Sequence, residues 1–384
     1  MNIYSYQEAF GASDKTSRAM RKAIGDWFGM YFQQEADKLA DPCQRIAYAV
    51  VNKLTKAVFG EYQASCKDEN VSKWLKALEM RQKEAVQLAL TGGECYIKPC
   101  PEGTGFSYTL IPRSHVLIFA RNSRGEPTDV GITERSAAGR YFYTLLERRT
   151  ADDAGLLTIT YRLFRSANEE NLGTEVNLAE HPAYRTLAKQ LRCELGSVGL
   201  VRVKTPMVNC VDGSADGVAV FAPAVQLIRA IDKNEAQMNG EFERGQSRII
   251  VSRDLLDKDR NLTENLFVGL DDDPETVGLT VFAPQLREQS YLARKQEYLR
   301  NVESVLGLKR GSLSDANLDE RTATEIAASQ ADYNLTVIDF QTMWAQAVQQ
   351  TMELCARLAG IYGMATVRDT AVRFDWGNGV LYAE

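Results

Sequence analysis

Apolar positions recur along this chain first with helical spacing, then with alternation, then with helical spacing again. Between residues 41 and 59, Ile46, Val50, Leu54 and Val58 fall on one helical face, with Asp41 placed to cap the N-terminus and Pro42 suited to the first turn. Val71, Trp74, Leu75, Leu78, Ala85 and Leu88 predict one helix over 70–90, closed by Gly92 and Gly93. From Glu94 to about Val203 the runs become short and rich in β-branched and aromatic residues: ECYIKP, FSYTLIP, HVLIFA, YFYTLLERR, LTITYRLFR and LVRVKTP. The turn clusters PEGTG, NSRGEPTD and RSANEENLGT separate several of them, so this segment is read as sheet-rich.

At Asp216 the helical pattern returns. Phe221, Val225, Ile228, Ile231, Met238 and Phe242 form a stripe over 217–245, ending at Gly245. A small mixed patch follows: RIIV, DLLDKDRN, LFVGLDDDPE and GLTVFAP. A second helix is predicted from Arg287 to Leu308, and a last one from about Glu320 to Ala359. The last helix opens on a capping box from Thr322 to Glu325 and buries Trp344, Val348, Met352, Cys355 and Leu358. Roughly 40 helical residues rise about 60 Å, far beyond the usual helix. AVRFDW then reads as one more strand. Two helices bracketing a small unit suggest an antiparallel pair with a module at its tip. Between the second and last helices lies a polar stretch, LGLKRGSLSDANLDE, read as a mobile loop. The fold class is α+β.

The 384 residues, 45% of them hydrophobic, suffice for two or three domains. Forty-five basic against 51 acidic residues give a net charge of −6, which argues against a broad, tight grip on nucleic acid. Seven cysteines, mostly in apolar patterns, read as reduced thiols in a cytosolic protein. The start MNIYSYQEAFGASDK lacks a signal-peptide pattern, and Gly217–Ile228 is too short to cross a bilayer, so no membrane partner is expected.

The chemistry-bearing motifs are missing. No G-x-x-x-x-G-K-[ST], Gly-x-Ser-x-Gly or His-Glu-x-x-His occurs. His115 and His181 read as structural. Cys95 and Cys100 of CYIKPC, with His115, lack a fourth zinc ligand. Asp271, Asp272 and Asp273 lack the alternation of a calcium loop; they are a solvated turn or a docking patch for a basic partner. Lys309 and Arg310 complement a helix C-terminus or contact a polyanion, and Arg287, Arg294, Lys295 and Arg300 suit a solvated face. No catalytic residue, cofactor or metal is expected.

Several segments, in this order, resemble tailed-bacteriophage portal proteins, in particular the branch that includes portals of phages infecting Gram-positive hosts. They are GGECYIKP, TLIPRSHVLIFARNSRGEP, the run VKTPMVNCVDGSADGVAVFAPAVQLIRAIDKNEAQMNGEFERGQSRIIV, and RTATEI. The resemblance implies a wing made of 1–215 and 321–384, with stem helices at 216–247 and 286–308. It places a clip at 248–285 and a tunnel loop at 309–320. The helical crown of many relatives would be minimal or absent in a chain ending at Glu384.

The resemblance also implies a ring, typically dodecameric, at one capsid vertex of the virion, assembled in the host cytoplasm. Double-stranded DNA would pass through it without sequence preference. The implied partners are the terminase large subunit as a separate motor, major capsid and scaffolding proteins, and head-completion proteins. Lys309, Arg310, Ser312 and Ser314 are then the first channel candidates, followed by Arg294, Lys295 and Arg300. Asp254, Asp257, Lys258, Asp271, Asp272 and Asp273 are the candidate docking residues of the clip. A portal-like adaptor of a gene-transfer particle is the alternative.

Overall fold

Two helices that the hydrophobic pattern was not used to predict begin the chain, α1 (Ile3–Phe10) and α2 (Arg18–Phe32). The computed structural model describes residues 3–32, 43–245, 248–252, 267–270, 279–282, 285–315 and 323–377. The helix expected over 41–59 is α3 (Ile46–Val58), and it starts later than the caps suggested. Arg45 holds a left-handed φ of 54° before it and provides no side-chain cap; Asp41 and Pro42 lie outside the described residues. β1 (Gln63–Cys66) follows.

The single helix expected over 70–90 is two: α4 (Glu69–Glu79) and α5 (Gln82–Gly92). Asp68 caps α4, accepting from the amides of Asn70 and Val71. Arg81 leaves the helical region, and the break shifts the buried stripe, so that Leu90 is enclosed and Leu88 only partly. That phase change lets α4 pack on one strand and α5 on its neighbour.

The expected sheet-rich segment forms two sheets. β2 (Glu94–Glu102) and β3 (Gly105–Pro112) make a hairpin. β4 (Val116–Arg121), β5 (Pro127–Ala138), β6 (Tyr141–Ala151), β7 (Leu156–Ser166) and β8 (Thr174–Val176) run antiparallel in sequence order, while β9 (Gln190–Glu194) also pairs with β7. β10 (Val201–Lys204) returns to the far edge of β2, giving the order β10-β2-β3. Phe10 of α1 covers one face of the larger sheet with Leu117, Phe119, Leu146 and Phe164.

The next helix begins at Val225 rather than 217: α6 (Val225–Arg244). The apolar residues Val218 to Phe221 before it are buried in the main core, not on a helix. β11 (Arg248–Ser252) pairs in parallel with β12 (Phe267–Leu270) and antiparallel with β13 (Leu279–Phe282). α7 (Glu288–Val305) and the 39-residue α8 (Ala323–Ile361) follow, and β14 (Val372–Asp375) pairs with β1. The expected buried face of α8 is the observed one. Trp344, Val348, Met352, Cys355 and Leu358 enter the main core, with Trp344 edge-on to Phe59 at 5.8 Å. α8 thus packs across α3, α4 and the small sheet, and burial of this stripe is its main stabilisation.

Candidate functional site

The functional candidates lie along one path: the root from which α6 leaves the body, the α6–α7 pair, and the loop after α7. At the root, Gly93 ends α5 in a left-handed conformation (φ 79°). A Cβ there would stand 2.3 Å from the backbone of Gly217, and one on Gly217 would stand 2.2 Å from the Gly93 carbonyl. Only glycines permit that approach. It lets the amide of Gly217 donate to Glu94 at 2.6 Å, the first residue of β2.

Glu94 is fully enclosed. Its carboxylate also accepts from Tyr96 at 2.7 Å and from Arg202 of β10, and lies 3.4 Å from Arg113 Nε. Arg113, itself buried, donates to Asp216 at 2.9 Å, to Thr16 and to the Val116 carbonyl; Arg121 reaches Asp216 at 2.6 Å. Burial alone pushes the Glu94 carboxyl up. The facing Arg202 and Arg113 guanidiniums, with hydrogen bonds from Arg202 and Gly217, more than reverse this and hold it at about 2. An enclosed network of this kind specifies geometry and makes loss of any one member costly.

α6 and α7 run antiparallel. Asn234 Nδ2 donates to the Tyr291 carbonyl at 3.0 Å, Lys295 meets Glu235 at 3.0 Å, and Arg287 forks onto Glu241 at 2.9–3.1 Å. The Arg287 hydrogen bonds hold the Glu241 carboxyl at about 2. Leu286 packs where a Cβ on Gly245 would come within 2.5 Å of it, so that glycine closes the pair. One flank has a recess of about 640 Å³ lined by Lys233, Asn234, Gln237, Tyr291 and Arg294. On the other flank, Phe242, one heptad past Glu235, and Leu292, three residues before Lys295, are 41% and 48% exposed.

Of the expected channel cations in this pair, Lys295 already has partners within the chain. It is half-buried and spent on Glu235 and Gln44. Arg294 is exposed and lies over the Tyr298 ring at 5.2 Å. Arg300 is half-buried, 3.9 Å from Glu297.

The described part of the loop, to Asp315, is not a loose polar stretch. Leu306 and Leu308 are buried in the main core. Lys309 and Arg310 are exposed and Ser312 is half-buried. Ser314, the fourth channel candidate of the loop, is 6% exposed and its hydroxyl donates to Glu303 at 2.8 Å. The remaining loop residues to 320, the Thr322 capping position, and Asp254, Asp257, Lys258, Asp271, Asp272 and Asp273 lie outside the described residues.

Among the described residues no group of three His, Cys, Asp or Glu side chains could hold a metal. All seven cysteines are unpaired; burial pushes the Cys95 and Cys355 thiols up to about 12, away from thiolate reactivity. Among the described residues no helix is long and apolar enough to cross a membrane.

Sequence reasoning missed Glu94, Arg113, Asp216 and Glu303 as organising residues. The first three stand inside GGECYIKP, TLIPRSHVLIFARNSRGEP and DGSADGVAVF, so their segments were singled out, but their pairing spans 103 residues from Arg113 to Asp216. Glu303 lay within a helical run with an ordinary charged pattern.

No curated protein matches the chain. The family described as "Phage portal protein, SPP1 Gp6-like" matches residues 141–381, more than half of the chain. The matched stretch runs from β6 to beyond β14 and holds the helix pair, the loop and α8. With its paired helices, the small strand unit between them and the long core helix in one matched span, the chain belongs to the phage portal protein family.

Proposed function

We propose that the chain is the ring-forming subunit of a portal at one capsid vertex, through which double-stranded DNA is packaged and ejected. In this reading the body and α8 are the wing, α6 and α7 the stem, the β11–β13 unit the clip, and the loop after α7 the tunnel loop. The family is structural rather than enzymatic, so the packaging energy comes from a separate terminase motor docking at the clip. Capsid, scaffolding and head-completion proteins are the other partners, and the motifs favour the branch found in phages of Gram-positive hosts.

The observation that carries the ring is the unlike pair of stem flanks. One presents a recess edged by Lys233 and Arg294; the other presents Phe242, Leu292 and the exposed Glu288. Two unlike faces on one subunit suit a head-to-tail contact, which closes into a ring when the rotation per copy divides a full turn. The net charge of −6 per copy suits a lumen that guides DNA without clamping it, since many phosphate contacts would hold the duplex against motion. Lys309 and Arg310 supply brief phosphate contacts that centre the duplex.

Class-averaged electron micrographs of the purified full chain test this. Rings with an axial hole are expected, twelvefold by family precedent; a compact monomer at assembly concentrations overturns the reading. Removing 248–285 is expected to leave the wing folded and abolish motor binding.

A further inference from the structure

The last turn of α7 carries an acidic residue where a helix terminus disfavours one. The C-terminal end of a helix is partially negative, so cations complement it and carboxylates oppose it. Glu303 lies two residues from the end of α7 and is 1% exposed. A buried carboxylate persists only when its lone pairs are occupied.

All four of its described donors come from one short run. Oε2 accepts from the Gly311 amide at 3.1 Å and the Ser314 hydroxyl at 2.8 Å; Oε1 accepts from the amides of Leu313 and Ser314 at 2.5 and 2.8 Å. Convergent amides of this kind form a concave anion cradle, here filled by a side chain of the same protein. Gly311, at φ 85°, supplies the curvature. α8 grips the other foot of the turn: the Thr336 hydroxyl donates to the Gly307 carbonyl at 3.4 Å, and a Cβ on Gly307 would come 2.7 Å from it. Lys309 and Arg310 therefore sit at the crest of an arch, with buried Leu308 before them and the Glu303-bound run after them.

We infer that Glu303 is a latch that sets where the Lys309–Arg310 pair is displayed. With the latch closed, the arch is a rigid extension of α7 and α8, so a push on the cations is passed to both helices instead of being absorbed by the turn. What pushes on the pair rests on the portal reading; the latch itself does not.

Hydrogen exchange on the full chain, resolved across 309–315, tests the latch. In the wild-type protein the amides of Gly311, Leu313 and Ser314 are expected to exchange as slowly as those of the last turn of α7. Glu303→Gln, which turns an NH₂ group toward those donors, is expected to speed all three at least ~10-fold. Trypsin cleavage after Lys309 and Arg310 should quicken with them, while α4 and α5 keep their protection. Ser314→Ala removes one donor of four and is expected to give a smaller change in the same direction. Glu297→Gln, on the exposed face of α7, is the control and should change nothing.

Unprotected amides in the folded wild type overturn the latch, even if Glu303→Gln does not fold. Unchanged local exchange in a folded Glu303→Gln overturns it, as does uniform acceleration across the body. Failure to form rings with these amides protected removes the channel reading and keeps the latch; rings with unprotected amides do the reverse.

Discussion

The two ends of the α6–α7 pair treat charge and apolar surface in opposite ways. At the root, Glu94 and Asp216 are enclosed by Arg113, Arg121 and Arg202, and the two glycine backbones touch. Toward the outer half, Arg287 and Glu241 pair in the open, and Phe242 and Leu292 stay on the surface. The root is completed within one chain. The outer half leaves apolar surface exposed, which in the ring proposed above a neighbouring copy would cover.

The sharpest way to break this contrast is Glu94→Ala. It leaves Arg113 and Arg202 buried without their shared anion, and a loss of about 3–5 kcal/mol is expected in urea unfolding of the full chain. A loss below about 1 kcal/mol would mean that the root is not tied by charge. Gly217→Ala comes next. Its Cβ would meet the Gly93 backbone, which cannot swing aside as a side chain does, so about 1–3 kcal/mol is expected.

Acid sharpens the comparison further. The Glu94 carboxyl is held at about 2 in the fold against an ordinary 4.5. A lowered folded value means that its stabilisation is full above about pH 4.5 and is lost as pH falls through 2. The thermal midpoint should drop across that window, and Glu94→Gln should flatten the drop. Arg287→Ala, at the open end, should leave the melting temperature at neutral pH within about 1 °C of wild type, because solvent screens the exposed Arg287–Glu241 pair and such pairs contribute little. The smallest expected effect on folding is that of Phe242→Ser with Leu292→Ser. It should not move the midpoint beyond about 1 °C, yet rings should disappear from micrographs. Unaltered rings would place the subunit contact elsewhere.

Legibility followed the range of the forces involved. The buried face of α8 was read residue by residue because a helical stripe is a local pattern against a large core. The strands from Glu94 to Val203 were equally plain in their β-rich runs. The break at Arg81 was not, because Leu78 and Ala85 fit one helical period as well as two, and only packing on β2 and β3 decides. α2 was overlooked although Met20, Ile24, Trp27, Phe28 and Tyr31 carry helical spacing and are all buried. Residues 218–221 read as helix because Phe221 and Val225 are four apart; contact with the Gly93 turn holds them in the core ahead of α6.

The amino-acid order by itself determined the α+β class, the long α8, the antiparallel helix pair and the absence of the familiar catalytic motifs, since each rests on spacing within a few turns or strands. Only the tertiary structure decided which charges are spent inside the chain and which are left outside. Lys295 and Arg294 are adjacent on one helix, yet Glu235 and Gln44 engage the first, while the second lies exposed over a tyrosine ring. Ser314 and Glu303 are polar residues that the fold encloses together. The physical reason is that a charge or a hydroxyl is settled by its partners, and those partners come from elements whose approach no local pattern encodes.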